Sequence, residues 1–239
     1  ITNCSFLNEL TFGDADGAVD ARVDVSDSAV KGEVQFGVMA EGSDDALSNC
    51  RGVHVTIRDT VLPFLKVNDK LLLRNATDSS LTIRGIAKPA NVGMGTYPEF
   101  RVLSTEHPLL QDSPGSRVHL EHVSLGNGLR VNFTANGTSF TLRNAELITG
   151  FVTFHGSDGV TVPSPREDGP LADVALTVEN VALFSLSFLL VKENFFEDTV
   201  NASIAFRSVR RASGSIYQLF GGKYILVRSV DASFVVEDI

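Results

Sequence analysis

The chain has no tryptophan, two cysteines, two methionines and three tyrosines among its 239 residues. Two cysteines exclude a disulfide-dense scaffold, and they do not form a C-x-x-C motif. No apolar run reaches the roughly 20 residues a membrane helix needs; the longest, Val181 to Val191, is interrupted by Ser185 and Ser187. Positive charge is in deficit, with 20 Lys and Arg against 29 Asp and Glu, a net charge of -9. A general nucleic-acid-binding surface is therefore not expected. Helical periodicity is scarce, because the one stretch that fits it, Leu183 to Phe196, reads equally well as strand.

What the chain does have is a repeated pattern: apolar, any, apolar, charged, then Asn, Asp, Ser or Gly. It reads Val23-Asp24-Val25-Ser26-Asp27, Val55-Thr56-Ile57-Arg58-Asp59 and Leu81-Thr82-Ile83-Arg84-Gly85. It returns at Val118–His122, Phe140–Asn144, Leu176–Asn180, Ile204–Ser208 and Ile225–Ser229, and more loosely at Cys4–Asn8. The second apolar position recurs about every 28 residues, the spacing of stacked repeats. A second strand-like run follows most motifs, for example Val34-Gln35-Phe36, Phe64–Val67, Leu129–Phe133 and Phe151–Phe154. Each unit reads as strand, tight polar bend, strand and a variable return. The largest insertions are expected at 88–116 and 156–173, both rich in Pro and Gly.

Two polar columns follow from stacking the units. One holds Asn8, Asp27, Asp59, Gly85, His122, Asn144, Asn180, Ser208 and Ser229, residue types suited to a left-handed bend. The other holds Ser26, Arg58, Arg84, Glu121, Arg143, Glu179, Arg207 and Arg228. Its alternating charges from 84 to 207 would face each other across one strand spacing, at about 0.2–1 kcal/mol per pair. These repeats resemble the coils of the right-handed parallel β-helix, the pectin-lyase-like family. In texture the chain also resembles the long β-helical surface glycoproteins of protists, the dispersed gene family type. The resemblance implies an all-β solenoid of roughly nine coils. The alternative is one or two antiparallel β-sandwiches.

Chemistry-bearing motifs are few. Five N-x-S/T sequons, at Asn3, Asn75, Asn132, Asn136 and Asn201, predict a secreted glycoprotein with all five acceptors at the surface. In that setting Cys4 and Cys50 are a disulfide candidate, or else two small buried residues. Asp14, Asp16 and Asp20, with Asp24, are a weak calcium candidate, but no Glu stands at the twelfth position of an EF-hand loop. His54 and His119 are expected at one outward repeat position, and His155 in an exposed polar turn. Of the series a polygalacturonase-like enzyme would carry, only Asp44-Asp45 is present. Gly221-Gly222-Lys223 lacks P-loop spacing.

The sequence thus predicts one β-helical segment, 1–239, of a longer chain, extracellular or at the cell surface. The expected role is structural or adhesive and non-catalytic, without cofactor. The alternative is a carbohydrate-active or carbohydrate-binding β-helix. Expected partners are neighbouring coils or copies of the same protein through the chain ends, and glycans, with no nucleic acid and no membrane span.

Overall fold

The computed structural model describes residues 1–6, 10–12, 16–36, 47–67, 73–89, 96–102, 109–126, 128–149, 151–156, 169–184, 187–192, 195–213 and 225–239. They form twenty strands, β1 to β20 in chain order, with no helix among the described residues. Every described strand pair and every isolated bridge is parallel. The antiparallel sandwich is thereby excluded. The fold is all-β, and its largest element is a curled sheet of thirteen strands.

One run of this sheet stacks β3 (Arg22–Ser26), β6 (His54–Arg58), β8 (Ser80–Arg84), β10 (Arg117–Glu121), β13 (Ser139–Leu147), β16 (Ala175–Phe184), β19 (Ser203–Ser213) and β20 (Ser233–Glu237). Val25, Ile57, Ile83, Leu120, Leu142, Val178 and Phe206 stand in register along it, all fully buried. These are seven of the eight positions the repeat predicts. The eighth, Val227, lies elsewhere, and Val236 is paired with Phe206 in its place. The run Ile225–Ser229 sits one corner earlier, where Ile225 bridges Phe195 and Val230 bridges Val200. Alternation alone cannot separate these two segments, because both read as three apolar residues followed by a charged one, Ile225–Arg228 and Phe234–Glu237. Cys4–Asn8 also falls outside the run: Ser5 and Phe6 form β1, which pairs with β4 (Ala29–Val30), and Asn8 lies outside the described residues.

A second run of the same sheet stacks β2 (Leu10–Phe12), β5 (Glu33–Phe36), β7 (Phe64–Val67), β9 (Glu99–Val102) and β11 (Ser124–Leu125) with the C-terminal parts of β13, β16 and β19. A separate sheet joins β12 (Leu129–Asn132), β14 (Phe151–His155) and β17 (Phe188–Val191). The strand-like runs that follow each motif are therefore of two kinds, on two sides of the molecule. Strand β9 lies inside 88–116, so that stretch is not one insertion. The last pair is β15 (Leu171–Ala172) with β18 (Thr199–Val200).

The first and second runs meet at a bend residue with positive φ: Asp27, Asp59, Gly85, His122, Asn144, Asn180 and Ser208, at 46–59°. Asn and Asp tolerate this region, and glycine meets no Cβ penalty there. At Gly85 a Cβ would stand 2.5 Å from Asp59 Oδ1 one strand away, so a side chain there would displace the Asp59 carboxylate. Asp238, not Ser229, has the positive φ after β20.

Two kinds of packing join the strands inside. Apolar rings cluster at one level: Phe195 stacks on Phe196 at 4.2 Å, and Phe133 meets both edge-on. Buried hydroxyls take over where the backbone ladder breaks at corners. Ser116 Oγ accepts the Ser79 amide at 3.1 Å and donates to the Ala76 carbonyl at 2.9 Å. Ser79 Oγ likewise accepts the Val53 amide one strand back, but donates to the Thr77 carbonyl of its own segment.

Candidate functional site

Three surfaces carry the polar chemistry. The first is the outward face of β3 to β20. One track there reads Ser26, Arg58, Arg84, Glu121, Arg143, Glu179, Arg207 and Glu237. This is the expected charged column with Glu237 replacing Arg228. Arg143 Nε lies 3.0 Å from Glu179, and Arg207 Nε donates to Glu237 at 3.0 Å. Arg228 instead donates to Asp198 and to Glu197 at a corner. Beside the charged track runs a chain of amides: Asn144 donates to Glu121 at 2.9 Å, Asn180 to Asn144 at 2.7 Å, and Arg210 to Asn180 at 2.9 Å. A second ladder links Asn75 to Asn49 and Asn49 to Asp16. Each ladder repeats at one strand spacing, so side chains of one type meet without extra backbone.

His54 and His119 do not share a position. His54 is in register with Ser80 and with Arg22, whereas His119 is in register with Thr82 and Thr141, two residues further along the strand. Both lie on the same face because two residues is one full pleat. His119 Nε2 is 3.7 Å from Glu121, yet burial outweighs that carboxylate and lowers its pKa below the usual imidazole value.

The second surface is a carboxylate–serine cluster that the repeat does not reveal. Glu99, Ser124 and Glu146 stand side by side on β9, β11 and β13. Glu146 is 8% exposed, and its Oε2 accepts the Thr96 amide at 2.7 Å and the Ser124 hydroxyl at 3.0 Å. Glu99 Oε1 occupies the space over Gly126, where a Cβ would come within 1.9 Å. Tyr97 packs against His122, ring centroids 5.4 Å apart, and His122 Nδ1 accepts the Gly85 amide. Glu146 thus clamps 96–98 onto the sheet. The only sequence signal was a polar residue at an outward position of three successive strands, and β9 was hidden in an apparent insertion.

The third surface is the outward face of β12, β14 and β17, carrying Arg130, Asn132, Thr153, His155 and Lys192. His155 Nε2 shares a hydrogen bond with Thr153 Oγ1 at 3.2 Å. Burial, reinforced by Lys192 and then Arg130, pushes the His155 pKa down to about 4.

The sequon acceptors divide. Asn3, Asn75, Asn136 and Asn201 are exposed. Asn136 Oδ1 accepts the Ala172 amide at 2.8 Å, and Asn201 Nδ2 donates to Asp173 at 2.6 Å. Asn132 departs from expectation: it is the last residue of β12 and only 8% exposed. The Cys4–Cys50 bridge is not formed. Cys4 is exposed with its thiol 3.3 Å from the Thr2 carbonyl, whereas Cys50 is buried with its sulfur 3.5 Å from Ser79 Oγ. The two cysteines belong to different corners of the stack. Of the calcium candidates, Asp14 lies outside the described residues, Asp16 is tied to Asn49, and Asp20 is a positive-φ corner residue. Among the described residues no three His, Cys, Asp or Glu side chains group as metal ligands. Asp44-Asp45 and Gly221-Gly222-Lys223 lie outside the described residues. No helix among the described residues is long and apolar enough to cross a membrane. Comparison with protein-family models, curated proteins and solved structures finds no match to this chain.

Proposed function

We propose that this chain is a segment of a right-handed parallel β-helix that serves as a structural or adhesive element of an extracellular glycoprotein. The observation that supports this reading is the commitment of polar side chains to one another along the stack. Arg143, Glu179, Arg207, Glu237, Asn144 and Asn180 all pair with a side chain one strand away. Such ladders stabilise a rod and leave few charged groups free for catalysis on that face.

Partners in this reading are further coils or copies of the protein. Strand β20 pairs with β19 along one edge, and no described strand lies on its other edge. Phe234 and Val236 are 44% and 41% exposed, whereas their register partners Ile204 and Phe206 are fully buried. An open edge backed by apolar side chains is a template for another strand.

Glycan mapping of the chain made in a secretory eukaryotic host tests the glycoprotein part. Sugar at Asn136 and at one or more of Asn3, Asn75 and Asn201 is expected, with Asn132 bare. A mass equal to the naked polypeptide overturns it. The second reading, a carbohydrate-active β-helix, draws on the carboxylates of Glu99 and Glu146 flanking Ser124. Release of reducing ends from a polysaccharide, abolished by Glu146→Gln in a folded variant, would favour it over the structural one.

A further inference from the structure

The outward face of β14 differs from the ladder faces, because its charges are not paired among the described residues. Arg130 on β12 and Lys192 at the end of β17 flank β14 on either side. Both are exposed, and among the described residues neither makes an ion pair with a carboxylate. This is unusual for a chain of net charge -9. Arg130 is placed by Phe151, with its guanidinium carbon 6.0 Å from the ring centroid. Neither β12 nor β17 contains an Asp or Glu, so no acidic residue of the flanking strands faces His155.

Between the cations lie polar groups that the fold has desolvated. Asn132 alternates with Arg130 along β12 and is in register with His155. It is 8% exposed. Thr153 is 4% exposed, with its hydroxyl against His155 Nε2.

We propose that Arg130, Asn132, Thr153, His155 and Lys192 form a binding site for a tetrahedral oxoanion, sulfate or phosphate, free or carried as an ester on a saccharide. Donors from three adjacent strands share this face, more than the two oxygens of a carboxylate can use, whereas a tetrahedral oxoanion presents acceptors in several directions. Burial, reinforced by repulsion from Lys192 and Arg130, holds His155 neutral while the site is empty. A bound anion reverses that repulsion, so His155 gains a proton on binding and affinity rises as pH falls. The site also excludes a glycan from Asn132, whose amide is enclosed on the sheet. This inference goes beyond the structural role and does not depend on it.

The test follows the His155 ring by NMR through a pH titration of the full chain, alone and with sodium sulfate, inorganic phosphate or a sulfated monosaccharide. The expected result is a saturable rise of the His155 pKa from about 4, absent in sodium chloride of equal ionic strength. Arg130→Gln and Lys192→Gln, both at exposed positions, should each weaken the anion about tenfold, the loss of one charge-assisted hydrogen bond. Asn132→Asp should abolish the effect by placing a carboxylate in the site. Tighter binding of the sulfated sugar than of free sulfate assigns the ester as ligand, and equal binding assigns the free ion. A His155 pKa that does not respond to millimolar sulfate, phosphate or sulfated sugar, or responds equally in chloride or in the two cation variants, overturns the proposal.

Discussion

Arg143 and Glu179 are neighbours only across the stack: 36 residues apart in sequence, they sit in register on β13 and β16 with Nε and carboxylate 3.0 Å apart. Both are well exposed, so solvent screens the pair. A double-mutant cycle with Arg143→Ala and Glu179→Ala, read by urea unfolding, should return a coupling of about 0.2–1 kcal/mol. The coupling should shrink in high salt. A coupling that salt leaves unchanged would show that the pair is not screened as its exposure implies.

The buried column should be far more sensitive. Leu142 is fully buried between Leu120 and Val178. Leu142→Ala should destabilise by about 2–5 kcal/mol, transfer and cavity costs together. Phe234→Ala, at a half-exposed position of the same sheet, should cost clearly less in the same urea titration. Equal losses would mean that the last strand is covered in solution.

Corner hydroxyls should matter more than their size. Ser116→Ala leaves the Ser79 amide and the Ala76 carbonyl without partners. The cost should be about 1–3 kcal/mol, the penalty of an unsatisfied buried group. Ser116→Thr keeps the hydroxyl and should recover part of the loss, unless the added methyl clashes. Thermal melts of the two variants separate the contributions.

Glu146 should hold the segment 96–98 in place. Hydrogen exchange at the Thr96 amide, which donates to Glu146, should accelerate in Glu146→Ala. Core amides such as that of Leu142 should stay protected. Acceleration throughout would instead mean that Glu146 supports the whole sheet.

Stability should fall with pH as His155 is titrated. Its folded pKa, about 4, lies below the ordinary 6.5. Between those values the unfolded chain binds more protons than the folded one, so stability rises with pH across that window and is lost as pH drops through it. His119, also lowered, acts in the same sense. His155→Gln should flatten the urea midpoint between pH 6.5 and 4, and an unchanged profile would assign the slope to other groups.

Much of this architecture is legible in the residues themselves. Period-2 alternation marks which side chains face inward, because a strand's pleat repeats every two residues. Asp27, Asp59, Asn144 and Asn180 mark bends, because few other residue types tolerate positive φ. Both properties are local and need no knowledge of a neighbouring strand. Which strand lies beside which is a different matter. Ser233–Glu237 and Ile225–Ser229 carry the same local pattern, yet only the first pairs with β19. The choice depends on how much chain is used in passing the corners, which no local pattern records. The same limit hid the cluster of Glu99, Ser124 and Glu146, and it hid Asn132. A sequon specifies an acceptor, but burial of that acceptor beside His155 arises only when strands distant in sequence are stacked side by side.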